Sequence, residues 1–485
     1  MKNKFKIINA AIACIFITVL FSGLTVISGC GTLLGMDSDD GEELTFASKS
    51  NYERNDILAD AIENPNTVRD NNKINIGQTP EISQINDSQP EQAGETDKIE
   101  NQTVPDSVIS ENTVNTDAIP ADTTDMQANN IKDGTVRLKF IAAGDNIMHS
   151  NMIDDAKERV KDKENFNFKD MYKDIASIIK SSDIALVNVE TPIAGDEFAY
   201  SGYPMFNTPK ENGFALTNIG FNIINIANNH MLDKWEKGYI NNIDFWESQQ
   251  NVLLIGGFKD EEDFENIRIY EKDGVSIAFL SYTYGTNGMY LPKESKMVIP
   301  YIDDATVERQ VKAARPLADL VFVVMHWGDE DIFAPNQWQR SLAQMMVDNG
   351  VDVIIGMHPH VLQETKWVNR PDGGRTLIAY SLGNMISGML GAQNMIGGLL
   401  SFDIVKTTKN GESDTKIENA QIIPIITHYD KRRKAFQLYK FEDYTQELAK
   451  AHGNINSDNK FSYKYIKDLV KQIIAPEFLS DFYKE

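Results

Sequence analysis

From Val136 onward, short aliphatic runs alternate with longer amphipathic stretches, and this alternation restricts the fold more than any other feature of the chain. A short run that is apolar throughout suits a strand buried on both faces, and the stretches between suit crossover helices. Strands are expected at Leu138–Ala143, Ile184–Val189, Asn222–Ala227, Val252–Ile255, Val275–Tyr282, Leu320–Met325, Val351–Ile355 and Thr376–Tyr380. Helices are expected at Asn165–Ser181, Lys237–Gln249, Asp304–Ala314 and Asn336–Asn349, the last with Trp338, Leu342, Met345 and Met346 at core spacing. Strand followed by helix, repeated, predicts an α/β fold. Beyond about residue 395 a hairpin-like pair, Leu399–Lys406 and Lys416–Ile426, precedes a polar helical tail.

Polar residues gather where these strands end. Six strand ends carry Gly144-Asp145-Asn146, Asn188-Val189-Glu190-Thr191-Pro192, Asn228-Asn229-His230, His326-Trp327-Gly328-Asp329-Glu330, His358-Pro359-His360 and Ser381-Leu382-Gly383-Asn384. In open α/β sheets the C-terminal edge is where ligands bind. Four of the seven histidines in the chain fall in these clusters, with His149 close behind the first. Singly, each motif has an ordinary explanation: Gly-Asp as a turn, Asn-Asn-His as a capped helix start, His-Pro-His as a rigid turn. Asp329 and Glu330 read equally well as a solvated loop. Jointly, imidazole, carboxylate and amide oxygen make a ligand set suited to Zn, Mn or Fe, and no thiolate is present beyond Cys30 to suggest a structural cysteine site.

With these motifs in this order, the chain resembles the CapA, or poly-γ-glutamate capsule-biosynthesis, proteins from about Leu138 to Ser387. The resemblance rests on Gly144-Asp145, Asn188–Pro192, Ala227–His230, His326-Trp327-Gly328, Gly356–Gln363 and Tyr380–Asn384. That family is similar to the calcineurin-like metallophosphoesterases, which implies a two-sheet sandwich flanked by helices and a centre of one or two divalent ions (Mn, Zn or Fe). By the same resemblance Asp145 is the first-strand ligand, and Glu190 stands at the metal-bridging position. Asn229 and His230 form the Asn-His pair, in which the asparagine binds metal and the histidine faces the scissile group. His326, His358 and His360 complete the ligands. Two departures stand out: Ile147 replaces the histidine of the phosphoesterase Asp-x-His, and the bridging residue is glutamate, not aspartate. His149 lies two residues beyond Ile147 and would have to reach further to replace that ligand.

The N-terminus predicts export. Lys2, Lys4 and Lys6 precede an apolar run from Ile7 to Leu20, and Ile27-Ser28-Gly29-Cys30 looks like the lipobox of bacterial lipoproteins, with Cys30 as the lipidated residue. A retained membrane helix is the alternative. Either places the body on the extracellular face of the cell membrane. Residues 37–133 hold 22 Asp or Glu against six Lys or Arg and only two aromatics, Phe46 and Tyr52, a composition that reads as a disordered tether. The expected layout is a signal peptide at 1–29, a tether at 30–135, the α/β domain at 136–428 and a helical extension at 429–485.

The formal net charge of −24 argues against nucleic acid as a partner. The sequence shows no strong basic patch, although Lys234, Lys237, Arg340 and Arg375 lie near the motifs. Two functions follow. One is a metal-dependent hydrolase-like site used in the biosynthesis or anchoring of poly-γ-glutamate or another anionic wall polymer. The other is a non-enzymatic polymer-binding accessory of a synthase or export complex.

Overall fold

The computed structural model describes residues 133–161, 165–454 and 461–483. The expected leader, Cys30 and the acidic stretch as far as residue 132 lie outside the described residues.

Fourteen strands form two sheets among the described residues. The first four, β1 (Gly134–Asn146), β2 (Ile184–Val189), β3 (Ile223–Asn225) and β4 (Leu253–Ile255), run parallel in chain order within one sheet. The second sheet starts with β5 (Arg268–Lys272) and β6 (Val275–Thr283), continues through β7 (Leu320–His326) and β8 (Val353–Met357), and ends with β9 (Thr365–Asn369) and β10 (Arg375–Ala379). Its order is β5-β6-β7-β8-β10-β9, with the two edge strands antiparallel to their neighbours. The chain then returns to the first sheet with β11 (Asn384–Ile386), β12 (Ile396–Lys409), β13 (Glu412–His428) and β14 (Gln437–Lys440). β12 pairs antiparallel with β1 and β13, and β11 runs parallel against the end of β1.

The sandwich explains why these strands read as unbroken apolar runs. In β7, Phe322 and Val324 face one core while Val321, Val323 and Met325 face another, as the two-residue period of a strand requires. The first core joins the sheets through rings: Phe140 stacks on Phe402 at 4.6 Å and meets Phe322 edge-on at 5.2 Å. The second core lies under the helices Asp304–Ala314 and Gln337–Asp348, which bury Val307, Val311, Leu342, Met346 and Val347. Asn336 caps the latter helix in a reciprocal box with Gln339, and Asn349 ends it, so the expected span is the helix plus its two caps. On the first sheet, the helix Trp235–Glu247 buries Tyr239, Ile243 and Trp246.

The α/β expectation therefore holds, with particular differences. Asn165–Ser181 is not one helix but two short ones, Lys169–Tyr172 and Ala176–Lys180. The turn between them bonds Ile175 N to Tyr172 O, and the buried Tyr172 hydroxyl donates to Asn212 Oδ1 at 2.6 Å and accepts from Asn146 Nδ2 at 2.9 Å. Strand β8 starts at Val353 and not Val351, because Val351 N still closes the preceding helix on Met346 O. It runs on through Met357, which takes a hydrogen bond from Trp327 N at 3.1 Å and so aligns the ends of β7 and β8. β5 and β9 are half-exposed edge strands, and their mixed patterns gave no strand signal.

Candidate metal centre

Three strand ends of the first sheet and two of the second converge. Asp145 lies near the end of β1, Glu190 just past β2 and Asn229 past β3, while His326 closes β7 and His358 and His360 follow β8. The close passage of the 382–384 segment over β1 requires a glycine: a Cβ on Gly144 would lie 1.8 Å from Gly383 O. That passage bonds Asp145 N to Gly383 O at 3.0 Å and brings Asn384 beside the centre.

Asp145 is fully buried and multiply held. Its Oδ1 accepts from Asn188 Nδ2 at 2.7 Å, while Oδ2 accepts from His358 N at 3.2 Å and lies 3.2 Å from His360 Nδ1. His360 Nδ1 also lies 3.0 Å from Asn384 Oδ1. His326 Nε2 is 2.9 Å from Asn229 Oδ1 and 3.8 Å from Glu190 Oε1. A chain of amides backs this arrangement: Asn225 donates to Asn188 Oδ1 at 2.8 Å, and Ser281 donates to Asn225 Oδ1 at 2.5 Å, which links the two sheets.

The donors form two overlapping groups, Glu190 with His358 and His360, and Asp145 with Glu190 and His326; within each, the ligand atoms lie within 4.8 Å of one another. Glu190 belongs to both, as a bridging carboxylate would. Both its oxygens, and Nδ1 of His358, are buried without a hydrogen-bond partner among the described residues. Buried polar atoms, and a buried carboxylate above all, are costly in that state. A divalent ion bound by nitrogen and oxygen would satisfy the Glu190 carboxylate, so the residues fit the ion their chemistry implies.

Electrostatics follows from burial. It pushes the Glu190 carboxyl well above the usual carboxylate range, a displacement that the His360 charge opposes and that Asp145 and Glu330 add to. It pushes His326 and His358 well below the usual imidazole range, and the His360 charge acts in the same direction. For His360 burial also works downward, but the charge of Glu190 and the hydrogen bond and charge of Asp145 outweigh it and raise the group to about 10. His358 and His360 have φ of 95° and 57°, in the left-handed region that bulky side chains avoid. Strain of about 1–3 kcal/mol per residue clusters at sites where the surroundings dictate the geometry.

His230 stands apart from both ligand groups. Its Nδ1 lies 2.9 Å from Asp233 Oδ2, and its ring meets Phe206 edge-on at 4.7 Å. His149 also lies outside the groups; its Nδ1 accepts from Gly388 N at 3.0 Å, and burial lowers it to about 4. Ile147 is buried. Asn188 and Asn384 belong to the strand-end motifs, yet only the tertiary contacts give them their role beside Asp145 and His360. Asp233, Tyr284, whose ring lies 4.4 Å from that of His358, and Asn287, whose Oδ1 accepts from Asn229 at 3.2 Å, carried no signal in the sequence.

An α/β sandwich with a histidine–carboxylate cluster at its joined strand ends defines a class of candidate metalloprotein. Residues 139–389 match the family described as bacterial capsule synthesis protein PGA_cap, and the chain belongs to that family. The capsule biosynthesis protein CapA of Bacillus anthracis is 27% identical over 315 residues, covering 62% of this chain and 74% of that protein. The PGA biosynthesis protein CapA of Bacillus subtilis (strain 168) is 31% identical over 220 residues, which is 44% of this chain and 56% of that protein. Among solved structures, the calcineurin-like phosphoesterase YfkN from Bacillus subtilis aligns over 70% of this chain and 97% of its own, at 14% identity and a TM-score of 0.35.

Proposed function

We propose that the chain is a cell-surface lipoprotein that acts in the biosynthesis or anchoring of poly-γ-glutamate or a related anionic polymer, through a metal-dependent hydrolase-like centre. Its membership of the capsule synthesis family and the names of its relatives support the polymer. The observation that carries the centre is Glu190, whose two buried oxygens lack hydrogen-bond donors among the described residues while three imidazoles surround them.

In this reading Asp145, Glu190, His326, His358 and His360 hold the ion and Asn229 completes the set. When bound, such an ion lowers the pKa of its water and polarises the bond under attack. Asn188 and Asn384 orient Asp145 and His360. Asp233 holds His230 by Nδ1, which leaves Nε2 to give a proton to the leaving group. Purified protein should contain Mn, Zn or Fe by elemental analysis, and should cleave phosphodiester or amide model substrates in a manner that chelation abolishes. Bound metal without any turnover would favour the second reading, a polymer-binding accessory, which the replacement of the Asp-x-His histidine by Ile147 supports.

Ile27–Cys30 supports lipid anchoring. Cys30→Ser should abolish the lipid mass shift and release or strand the protein; a variant that keeps the wild-type shift would rule the anchor out.

A further inference from the structure

A polymer that carries a negative charge on each repeat needs a cation to meet it, and the four basic residues that the sequence places near the motifs are engaged elsewhere. Lys234 Nζ donates to Met205 O at 2.8 Å, and Lys237 lies 4.0 Å from Glu197. Arg340 pairs with Glu364 at 3.3 Å, and Arg375 lies over the Trp367 ring at 3.8 Å.

A guanidinium from beyond the family match reaches the edge of the centre instead. Arg433, on the loop between β13 and β14, donates from Nη2 to Gly388 O. Gly388 N donates in turn to His149 Nδ1 at 3.0 Å. The His149 ring lies 5.5 Å from that of Phe206, which packs against His230, so a continuous chain of contacts runs from Arg433 through Gly388, His149 and Phe206 to His230. Its neighbours Arg432 and Lys434 pair with Asp430 and Glu158, whereas no carboxylate among the described residues pairs with Arg433.

Two buried donors at this place have no acceptor among the described residues, Arg433 Nε and Asn151 Nδ2. They share a neighbour: a Cβ built on Gly388 would stand 2.8 Å from Asn151 Oδ1. The loop that presents Arg433 is held firmly. Asp430 Oδ1 accepts from Arg432 N at 2.9 Å and Lys434 N at 3.0 Å, and Asp155 accepts from Ala435 N at 3.0 Å and Phe436 N at 2.9 Å. Arg433 and Ala435 sit at φ of 56° and 57°, a strain that persists only where the surroundings over-determine the backbone.

We propose that Arg433 and Asn151 form an oxyanion-recognition subsite beside the metal centre, which takes a carboxylate or phosphate carried by the substrate near the group that meets His230. The guanidinium fork matches the planar oxygens of either anion, and the amide supplies a neutral donor. The inference rests on the reading of the substrate as an anionic polymer, and the probes separate the two ideas.

Full-length protein would be titrated calorimetrically with γ-linked octaglutamate, its neutral methyl ester and inorganic phosphate. Arg433→Ala should weaken octaglutamate or phosphate about tenfold or more, and Arg433→Lys should recover only part of it. Asn151→Ala should weaken the same anion several-fold, while the ester binds wild type and variants alike. Equal binding of both anions by wild type and Arg433→Ala would overturn the subsite, as would a wild type that binds neither. Phosphate binding that depends on Arg433, without any octaglutamate binding, would keep the subsite and overturn the polymer. If Arg433→Ala melts early, Arg433→Lys and Asn151→Ala carry the comparison.

Discussion

Glu190 Oε1 lies 3.7 Å from His360 Nε2, a carboxylate and an imidazole buried together with no hydrogen bond between them. His360 is raised to about 10 in this setting, so at neutral pH it holds a proton that an incoming cation must displace. Adding Zn or Mn to chelated protein at pH 7 should release about one proton, read from titrations in buffers of different ionisation enthalpy. Affinity should rise with pH up to about 10, the value to which Glu190 and Asp145 raise His360. His360→Gln should lower metal content, and the release that remains would come from the Glu190 carboxyl, which burial pushes upward and the His360 charge no longer opposes. Metal binding that is independent of pH between 6 and 9, a window of about three units below the His360 value, would refute the assignment.

His230 and Asp233 should behave differently from the ligands. His230→Ala should leave metal content unchanged and lower kcat on the order of 100-fold on whichever substrate is turned over. Asp233→Asn, which alters the partner of Nδ1 at 2.9 Å, should lower it less. A loss of metal in His230→Ala would move that residue into the ligand set.

Acid should destabilise the fold over a definite window. Burial lowers His149, His428 and His452 to about 4, with His326 and His358 displaced in the same direction. The unfolded chain therefore binds more protons than the folded one between pH 6.5 and 4; the stability is fully present above 6.5 and is lost as pH falls toward 4. For the fully buried His452 the effect is on the order of 3 kcal/mol. Chelated protein should show a Tm that drops across that window, and His452→Gln should flatten the slope. A flat Tm between pH 6.5 and 4 would contradict the burial of these rings.

Asp155 should be among the most sensitive positions away from the centre. It pairs with Arg159 at 2.6 Å and accepts from the backbone of Ala435 and Phe436, so one buried carboxylate joins the helix Ser150–Glu158 to the loop that carries Arg433. Asp155→Ala should cost about 3 kcal/mol, because it strands two backbone donors and leaves the half-buried Arg159 guanidinium with Phe436 O but no carboxylate. Urea unfolding measures this directly, and a loss below about 1 kcal/mol would show that solvent replaces those bonds.

Local pattern alone determined much of this protein. Ile184–Val189 and Asp304–Ala314 form over the spans that their periodicity predicts, because a run buried on both faces and a helix with one buried stripe each carry their signal in neighbouring residues. The strand-end positions of Asp145, Glu190, Asn229, His326, His358 and His360 were legible for the same reason, and their convergence follows from an α/β topology that brings such ends to one edge. Tertiary structure decided what depends on meetings across the chain. The break within 165–181 comes with the bonding of Tyr172 to Asn146 and Asn212. Asn384 reaches His360 only through the close crossing at Gly144 and Gly383. Asp233 faces His230 through a turn with no motif of its own, and Arg433 arrives from 45 residues beyond its contact at Gly388. No local periodicity encodes such contacts, since each exists only once both sheets have packed and burial has fixed which polar groups must find one another.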